Sequence, residues 1–412
     1  MKKIAILWYW KEWKSTHKYL LDEWFSDITI LDKKDNPNYL DDLNVFDIIY
    51  KSPWISIYKK ELRKVRDKIK TQADIFFENY KWKIILVTWS KWKSTTSTII
   101  YKILKQAWKT VKLVWNIWNP ILSEIDFENQ PSFVVFEISS YMLDSSLNIY
   151  SDYTILTNIY DVHTSWHKTH ENYINAKLKA FKDTKNCILR SNYSYLTKDL
   201  NCENIIFFGE NTENYFNENY IYSKKYKLFI QNIALKWQHN FLNIASILPI
   251  CEDLNIEQKI IEQTLKDFAW LEHRQEFIWK YNNIYFYNDS IATIPESILQ
   301  ALGRFKNELD TIILWWKDDN FDYTKVIEKI NSIKISNIIL LPDSFDNQKY
   351  LFKDKNVFEV SNIKNAVNIA KKYTQAWKVC ILSPWAASYN MFKNFEERWK
   401  LFKKYAKWEE KI

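Results

Sequence analysis

Residues 87–96 place two lysines and a row of hydroxyls between an apolar run at 83–87 and a helical pattern at 96–107. The segment reads Val87, Thr88, Trp89, Ser90, Lys91, Trp92, Lys93, Ser94, Thr95, Thr96. A strand, a short loop and a helix in this order suit a nucleoside triphosphate. Successive backbone N–H groups and the helix N-terminus cradle the phosphates. Lys93 would neutralise charge on the β and γ groups, and Ser94 or Thr95 would reach Mg²⁺. Two residues oppose that chemistry. Such a nest needs positions without side chains, and an indole at 89 or 92 would fill it.

The conflict extends along the whole chain. There are two glycines and 21 tryptophans in 412 residues, where a protein of this length ordinarily carries about 29 glycines at ~7%. Glycine supplies positive φ and close backbone approach at turns, helix ends and phosphate loops, and no other residue does so cheaply. The tryptophans stand at such places. Trp108 and Trp377 each follow an alanine just past a helical pattern, where a C′ glycine belongs. Trp315 and Trp316 follow the apolar run 311–314. Lysine dominates the basic residues, and Asn, Ile, Tyr and Phe are abundant, as in a protein from an AT-rich gene. The expectation is that UGA encodes glycine in the source cell and is written here as tryptophan, with Trp166 the one position left unconverted. A chain using genuine indoles as platforms for sugars or single strands would not set them on turn positions. Several tryptophans, above all Trp89, Trp92 and Trp316, should then stand exposed beside a central cleft, and some should have positive φ.

A phosphate loop needs a sheet to hold it, and the chain alternates strands with amphipathic helices throughout. Residues 3–7 form a short apolar strand, followed at 8–13 by what reads, with glycines, as G-Y-G-K-E-G. That is a dinucleotide-type turn into a helix, and it places Lys11 and Glu12 near a ligand. A strand at 28–31 ends at Asp32, where such folds hold a ribose or a nearby group. Ser52, Pro53 and Trp54 read as a Ser-Pro-Gly turn after a strand at 45–50. Further strands are expected at 83–87, 133–136, 153–156, 284–287, 311–314, 337–341 and 379–382. This alternation predicts an α/β protein of three domains with largely parallel sheets. They are a Rossmann-like domain at 1–80, a central P-loop ATPase-type domain at 81–275, and a second Rossmann-like domain at 276–412.

With glycines restored, the phosphate loop resembles that of the Mur ligases, and further motifs follow in that family's order. Residues 114–120 resemble its G-N-I-G-x-P segment, which implies that Asn116 faces a nucleotide-sugar. Glu137, Ser139, Ser140 and Tyr141 resemble E-x-S-S-[FY], whose glutamate binds Mg²⁺. Asn158, Ile159, His163 and His167 resemble N-I-x-x-D-H-x-x-x-H. Tyr173, Ala176 and Lys177 resemble Y-x-x-A-K, whose lysine is carbamylated. His239, Asn240 and Asn243 resemble an adenine-side H-N-x-x-N, and residues 270–274 resemble G-L-x-H-R, whose arginine, here Arg274, meets ATP. Asn288, Asp289, Ser290, Ala292 and Thr293 resemble N-D-S-x-A-T. Residues 383–399 are similar to S-P-G-A-A-S-x-x-x-F-K-N-F-x-x-R-G, a block specific to the D-glutamate-adding members.

The resemblance implies an ATP-dependent ligase that joins D-glutamate to UDP-N-acetylmuramoyl-L-alanine through an acyl phosphate, with Mg²⁺ and a carbamylated Lys177. It implies ATP contacts at Trp89, Ser90, Lys91, Trp92, Lys93, Ser94, Thr95, Asn240, Asn243, Arg274 and Asp289. Metal contacts fall to Ser94, Thr95, Glu137, His163 and Lys177, and catalysis to Lys93, Glu137, His163 and Lys177. The UDP-sugar would meet Lys11, Glu12, Asp32, Ser52 and Asn116, and D-glutamate would meet Thr293, Lys317, Ser388 and Phe395. Three positions depart from the family. Val162 replaces an aspartate beside His163, Ile291 stands where some members have lysine, and Asp319 stands where a lysine or arginine helps hold the amino acid. Lys317, two residues before Asp319, is expected to supply that charge. The alternatives are another amide ligase with this loop, such as a folylpolyglutamate synthase relative, or, if the indoles are real, an inactive aromatic-rich binder.

Composition narrows the rest. No apolar run is long enough to span a bilayer, and the start becomes charged at Lys11, Glu12 and Lys14 too early for a signal peptide. A cytoplasmic monomer acting on small molecules, with no stable membrane association, is expected. Cys187, Cys202, Cys251 and Cys380 form no CxxC pair, so reduced thiols are expected, with no zinc site or disulfide frame. The net charge of +8 is spread along the chain. Its densest stretch, 59–70, interleaves Glu61 and Asp67 and reads as a solvated helix face with no nucleic-acid role.

Overall fold

The computed structural model describes the chain apart from residues 1, 8–10, 54, 89, 91–92, 116–119, 161–163, 236, 269–274, 291, 293–294, 316–322, 343–348, 385–391, 393–394 and 409–412. Two compact units result, Met1–Phe268 and Ala269–Ile412. The first unit opens with strands β1 (Ile4–Leu7), β2 (Ile28–Leu31), β3 (Ile48–Lys51) and β4 (Ile69–Lys70). They form an all-parallel sheet in the order β2-β1-β3-β4. Strand β1 is the run Ile-Ala-Ile-Leu, buried on both faces as an inner parallel strand must be. The helix Gln72–Asn79 leads out of this sheet, its start fixed by a capping box between Thr71 and Asp74.

The same unit continues with β5 (Lys83–Val87), β6 (Val111–Trp115), β7 (Phe133–Glu137), β8 (Ser151–Leu156), β9 (Thr184–Arg190) and β10 (Cys202–Phe208). These make a second all-parallel sheet in the order β10-β9-β8-β5-β7-β6. Helices Lys93–Gln106 and Gln238–Asp253 pack on each other beside it. A small antiparallel sheet of β11 (Tyr215–Phe216), β12 (Tyr220–Tyr222) and β13 (Lys227–Phe229) completes the unit. It has no counterpart among the expected elements, because its strands are too short to show a period.

The second unit holds β14 (Glu276–Tyr281), β15 (Ile284–Asn288), β16 (Leu309–Leu314), β17 (Asn337–Leu340), β18 (Asn356–Glu359) and β19 (Val379–Leu382), ordered β14-β15-β19-β16-β17-β18. All pairings are parallel except the β14–β15 hairpin. Two apolar clusters cover its two faces, one around Ile312, Ile338 and Leu302, the other around Ile313, Ile339 and Phe402. The expected α/β class with largely parallel sheets is what the chain forms.

Two expectations need correction. The stretch 59–70 is no continuous helix: Lys60–Arg63 is one turn, followed by a 3₁₀ turn and β4. Leu62, Val65 and Ile69 turn inward and are buried, so the charges lie on a bent edge segment. Cys187 and Cys202 are joined in a disulfide with Cα atoms 6.2 Å apart, while Cys251 and Cys380 are free and buried. Neighbouring parallel strands bring together cysteines that no short motif announces.

The tryptophans divide sharply. Trp24, Trp108, Trp237 and Trp377 have φ of 65°, 58°, 93° and 67°, where a bulky L-residue is an outlier. At Trp24 the hydrogen bonds Trp24 N–H to Leu21 O and Phe25 N–H to Leu20 O close a Schellman motif. Trp108 repeats it with Lys105 and Leu104. Trp377 is the third residue of a turn closed by Lys378 N–H to Gln375 O. Trp237, with ψ 137°, is close to the region that is essentially glycine's alone. Trp24 and Trp108 are each 92% exposed. Trp315 behaves differently: it is fully buried, yet its indole N–H has no acceptor among the described residues. Trp89, Trp92 and Trp316 lie outside the described residues. No described helix is long and apolar enough to cross a membrane.

Candidate active site

Three neighbouring strands end together at the carboxyl edge of the central sheet. Val87 closes β5, opposite Glu137 on β7 and Ile155 on β8. The loop that follows is tied to the segment after β8. Thr88 N–H donates to Ile155 O, and Ser90 N–H donates to Asn158 O, each at 3.2 Å. Ser90 Oγ accepts Tyr160 N–H at 2.9 Å and lies 2.5 Å from the Tyr173 hydroxyl. Helix Lys93–Gln106 starts where this loop ends, so its first N–H groups have no partner within the helix. Ser94 and Thr95 are buried there, and the Ser94 carbonyl accepts the Thr98 hydroxyl at 2.6 Å.

Glu137 is 1% exposed, and its Oε2 has no hydrogen-bond donor among the described residues. Leaving such an oxygen without a partner costs about 1–3 kcal/mol, a cost that a bound cation would remove. Lys177, near the end of helix His170–Leu178, is also 1% exposed. Its Nζ sits 4.8 Å from the centroid of the Tyr173 ring. Burial, helped by the charge of Lys93, holds its ammonium well below the ordinary lysine range. Both causes favour the uncharged amine over the ammonium. Among the described residues no group of three His, Cys, Asp or Glu side chains makes a ready metal site.

Other expected residues fall on nearby elements. Asn240 and Asn243 are buried on Gln238–Asp253, the helix packed against Lys93–Gln106. At the first sheet, Leu7 pairs with Leu31 and Lys51, so Asp32 and Ser52 flank the end of β1 on either side at the sheet's carboxyl edge. Asp32 Oδ1 accepts Lys34 N–H at 2.9 Å, and Ser52 O accepts Lys51 Nζ at 2.8 Å. Lys11 and Glu12 begin the helix Lys11–Asp22. In the second unit Asp289, buried after β15, accepts Gln275 N–H at 3.2 Å, and its own N–H donates to Leu382 O. Phe395 opens the helix Phe395–Lys407. Arg398, also on that helix, is fully buried and donates to Ser290 O at 2.6 Å. Lys91, Asn116, His163, Arg274, Thr293, Lys317 and Ser388 lie outside the described residues.

The sequence reading gave no role to Tyr58, Ser140, Asp144 or His167, which the fold gathers beside Tyr173. Ser140 and Asp144 are four apart on one helix, a spacing visible in advance. Tyr58 comes from the loop after β3 and carries no local signal. A cleft of about 750 Å³ at the amino ends of β5, β8, β9 and β10 mixes Lys83 and Lys185 with Asp152 and Glu203. It lies on the edge opposite the phosphate loop.

Comparison with known proteins agrees with this layout. The Mur ligase middle domain matches residues 87–247. The UDP-N-acetylmuramoylalanine--D-glutamate ligase of Clostridium tetani is 31% identical over 388 residues, covering 89% of this chain and 84% of its own. That of Aquifex aeolicus is 26% identical, covering 90% and 91%. Among solved structures, the MurF ligase of Thermotoga maritima in complex with ADP has a TM-score of 0.63 at 14% identity, covering 88% and 89%. The MurC ligase of the same organism scores 0.60 at 16%, covering 97% and 100%. These two share the fold. With nearly a third of its residues matched along most of both chains, and its phosphate loop at the edge of a parallel sheet, the chain belongs to the Mur ligase family.

Proposed function

We propose that this chain is a cytoplasmic ATP-dependent ligase that joins D-glutamate to UDP-N-acetylmuramoyl-L-alanine, with glycine at twenty of the positions written as tryptophan. The observation that carries the reading is the buried edge of the central sheet. There Lys93 opens the helix after the phosphate loop, Glu137 ends the neighbouring strand with an unpartnered oxygen, and buried Lys177 is near enough to Lys93 to feel its charge. The domain roles follow the sheets: 1–80 for the UDP-sugar, 81–275 for ATP and 276–412 for the amino acid.

The residues present fit ATP and Mg²⁺. ATP supplies the phosphoryl group that turns the L-alanyl carboxylate into an acyl phosphate, which the D-glutamate amine then attacks. Lys93 places positive charge where charge accumulates on the transferred group. Ser94 or Thr95, with Glu137, offers hard oxygen donors to one ion. His163 and Lys177 are assigned to the other. A neutral Lys177 amine can add to CO₂, forming a carbamate and releasing one proton. That change replaces a cation that would repel Mg²⁺ with a carboxylate-like ligand. Asn240, Asn243, Arg274 and Asp289 are assigned to ATP. Thr293, Ser388, Phe395 and Lys317 are assigned to D-glutamate.

The test is phosphate release by the chain carrying glycine at all tryptophans except Trp166, with ATP, UDP-N-acetylmuramoyl-L-alanine and a panel of amino acids. Release that requires D-glutamate is expected. Release with a different amino acid, or none with any, overturns the assignment.

A further inference from the structure

The short helix Thr164–His167 follows directly on residue 163, and its last two residues touch three separate parts of the first unit. Trp166 is half-buried. Its carbonyl accepts the Ser56 hydroxyl at 3.1 Å, and its ring stands edge-on to Tyr58 and tilted against Tyr141, with centroids 6.0 and 4.9 Å apart. Lys51, 6.0 Å from that ring, holds the loop after β3 by donating to Ser52 O and Ile55 O. Trp166 also packs with the apolar cluster of the first sheet. Unlike Trp24 or Trp108, Trp166 has no positive φ and packs its ring, but its indole N–H, like that of Trp315, has no acceptor among the described residues.

His167 is fully buried. Its Nε2 lies 3.0 Å from Ser140 Oγ, and its Nδ1 lies 3.3 Å from Asp144 Oδ2 without hydrogen-bond alignment. The ring stacks on Tyr141 and meets Tyr58 and Tyr173 edge-on. Burial alone would raise the Asp144 carboxyl. His167, Lys179 and Tyr58 outweigh that and hold it below its usual range. Which of Nε2 and the Ser140 hydroxyl donates to the other depends on the His167 tautomer. A purely packing role would not need four polar groups out of water, since each is costly unless paired.

We propose that Trp166 and His167 are positioning residues for the ligation. They hold Ser56 and Tyr58, in the loop after β3, in fixed register with Ser140, three residues beyond Glu137, and so set where the UDP-sugar's carboxylate meets the phosphate loop. This rests on the function proposed above.

The chain with glycine at the other twenty positions makes Trp166 the sole indole, and this gives a direct readout. Saturation with UDP-N-acetylmuramoyl-L-alanine alone should shift the intensity or wavelength of Trp166 emission. His167→Phe keeps a ring but loses both polar contacts. It should lower kcat about tenfold, the weight of one positioned hydrogen bond, and raise KM for the UDP-sugar while KM for ATP stays within about twofold. His167→Gln can still reach Ser140 and should recover most of kcat. Unchanged emission on saturation, an unimpaired His167→Phe, or a Gln variant no better than Phe with both losses tracking a lowered unfolding midpoint overturns the proposal. A parent chain inactive with D-glutamate overturns the assigned reaction instead, and the emission titration still tests the joint.

Discussion

Replacing Trp24 and Trp108 by glycine should stabilise this chain, against the ordinary rule that removing a large aromatic weakens a protein. Both residues have positive φ and are 92% exposed, so they strain the backbone and bury almost nothing. A side chain in the left-handed region costs roughly 1–2 kcal/mol. Glycine returns about 0.5–1 kcal/mol of that through the greater freedom of its unfolded chain. The net gain is then about 0.5–1 kcal/mol at each site. The two sites end different helices and should add, giving about 1–2 kcal/mol for the pair. With a urea slope near 3 kcal/mol/M, the midpoint of the first unit's transition should rise by about 0.3–0.7 M at unchanged slope. Trp166→Gly is the internal control. It removes a half-buried ring packed on Tyr58, Tyr141 and His167, and should lose about 2–4 kcal/mol. A midpoint that stays level or falls for both Trp24→Gly and Trp108→Gly would refute the argument that these positions were shaped for glycine.

Further expectations concern the site. In the glycine-bearing chain Lys177→Ala should abolish turnover while sparing the fold, read by phosphate release and circular dichroism. Because the folded-state pKa of Lys177 is depressed, the unfolded chain binds the extra proton. Stability of the unmodified protein should therefore rise with pH through the window below the ordinary lysine value, and Lys177→Met should flatten that rise. Glu137→Gln should cut kcat at least about a hundredfold, as loss of a charged contact made in the transition state does, and should raise the Mg²⁺ needed for half-activity. For the amino acid, Lys317→Ala should raise KM for D-glutamate, and Asp319→Lys should then restore it. An unchanged KM in Lys317→Ala would return the charge role to position 319.

Much of the fold was readable because its inner strands are apolar runs buried on both faces: the expected 83–87 and 379–382 coincide with β5 and β19, and the expected 28–31 coincides with β2, an edge strand that is only partly covered. Boundaries slipped where polar residues stand in a strand's first positions, as at Ser151 and Asp152 of β8 or Asp310 of β16, whose pairing depends on neighbours and not on period. Lys93, Glu137 and Lys177 were legible because each sits at a fixed offset from a strand end or in a motif. Tyr58, Asp144 and the Cys187–Cys202 pair were not, since contacts between separate elements leave no mark on local spacing.

The order β10-β9-β8-β5-β7-β6 also constrains how the chain reaches its native state. Strand β5 lies at the middle of the sheet and is made before either of its partners. Its partner β7 begins only at Phe133 and β8 at Ser151. While the chain is being synthesised, Ile84, Ile85, Leu86 and Val87 must wait with open edges until those segments arrive. Helix Lys93–Gln106 is the first element able to cover them. Such non-local parallel pairing folds slowly and exposes aggregation-prone edges meanwhile. The strand that carries the phosphate loop is therefore the one whose exposure a slow ribosome or a chaperone would govern.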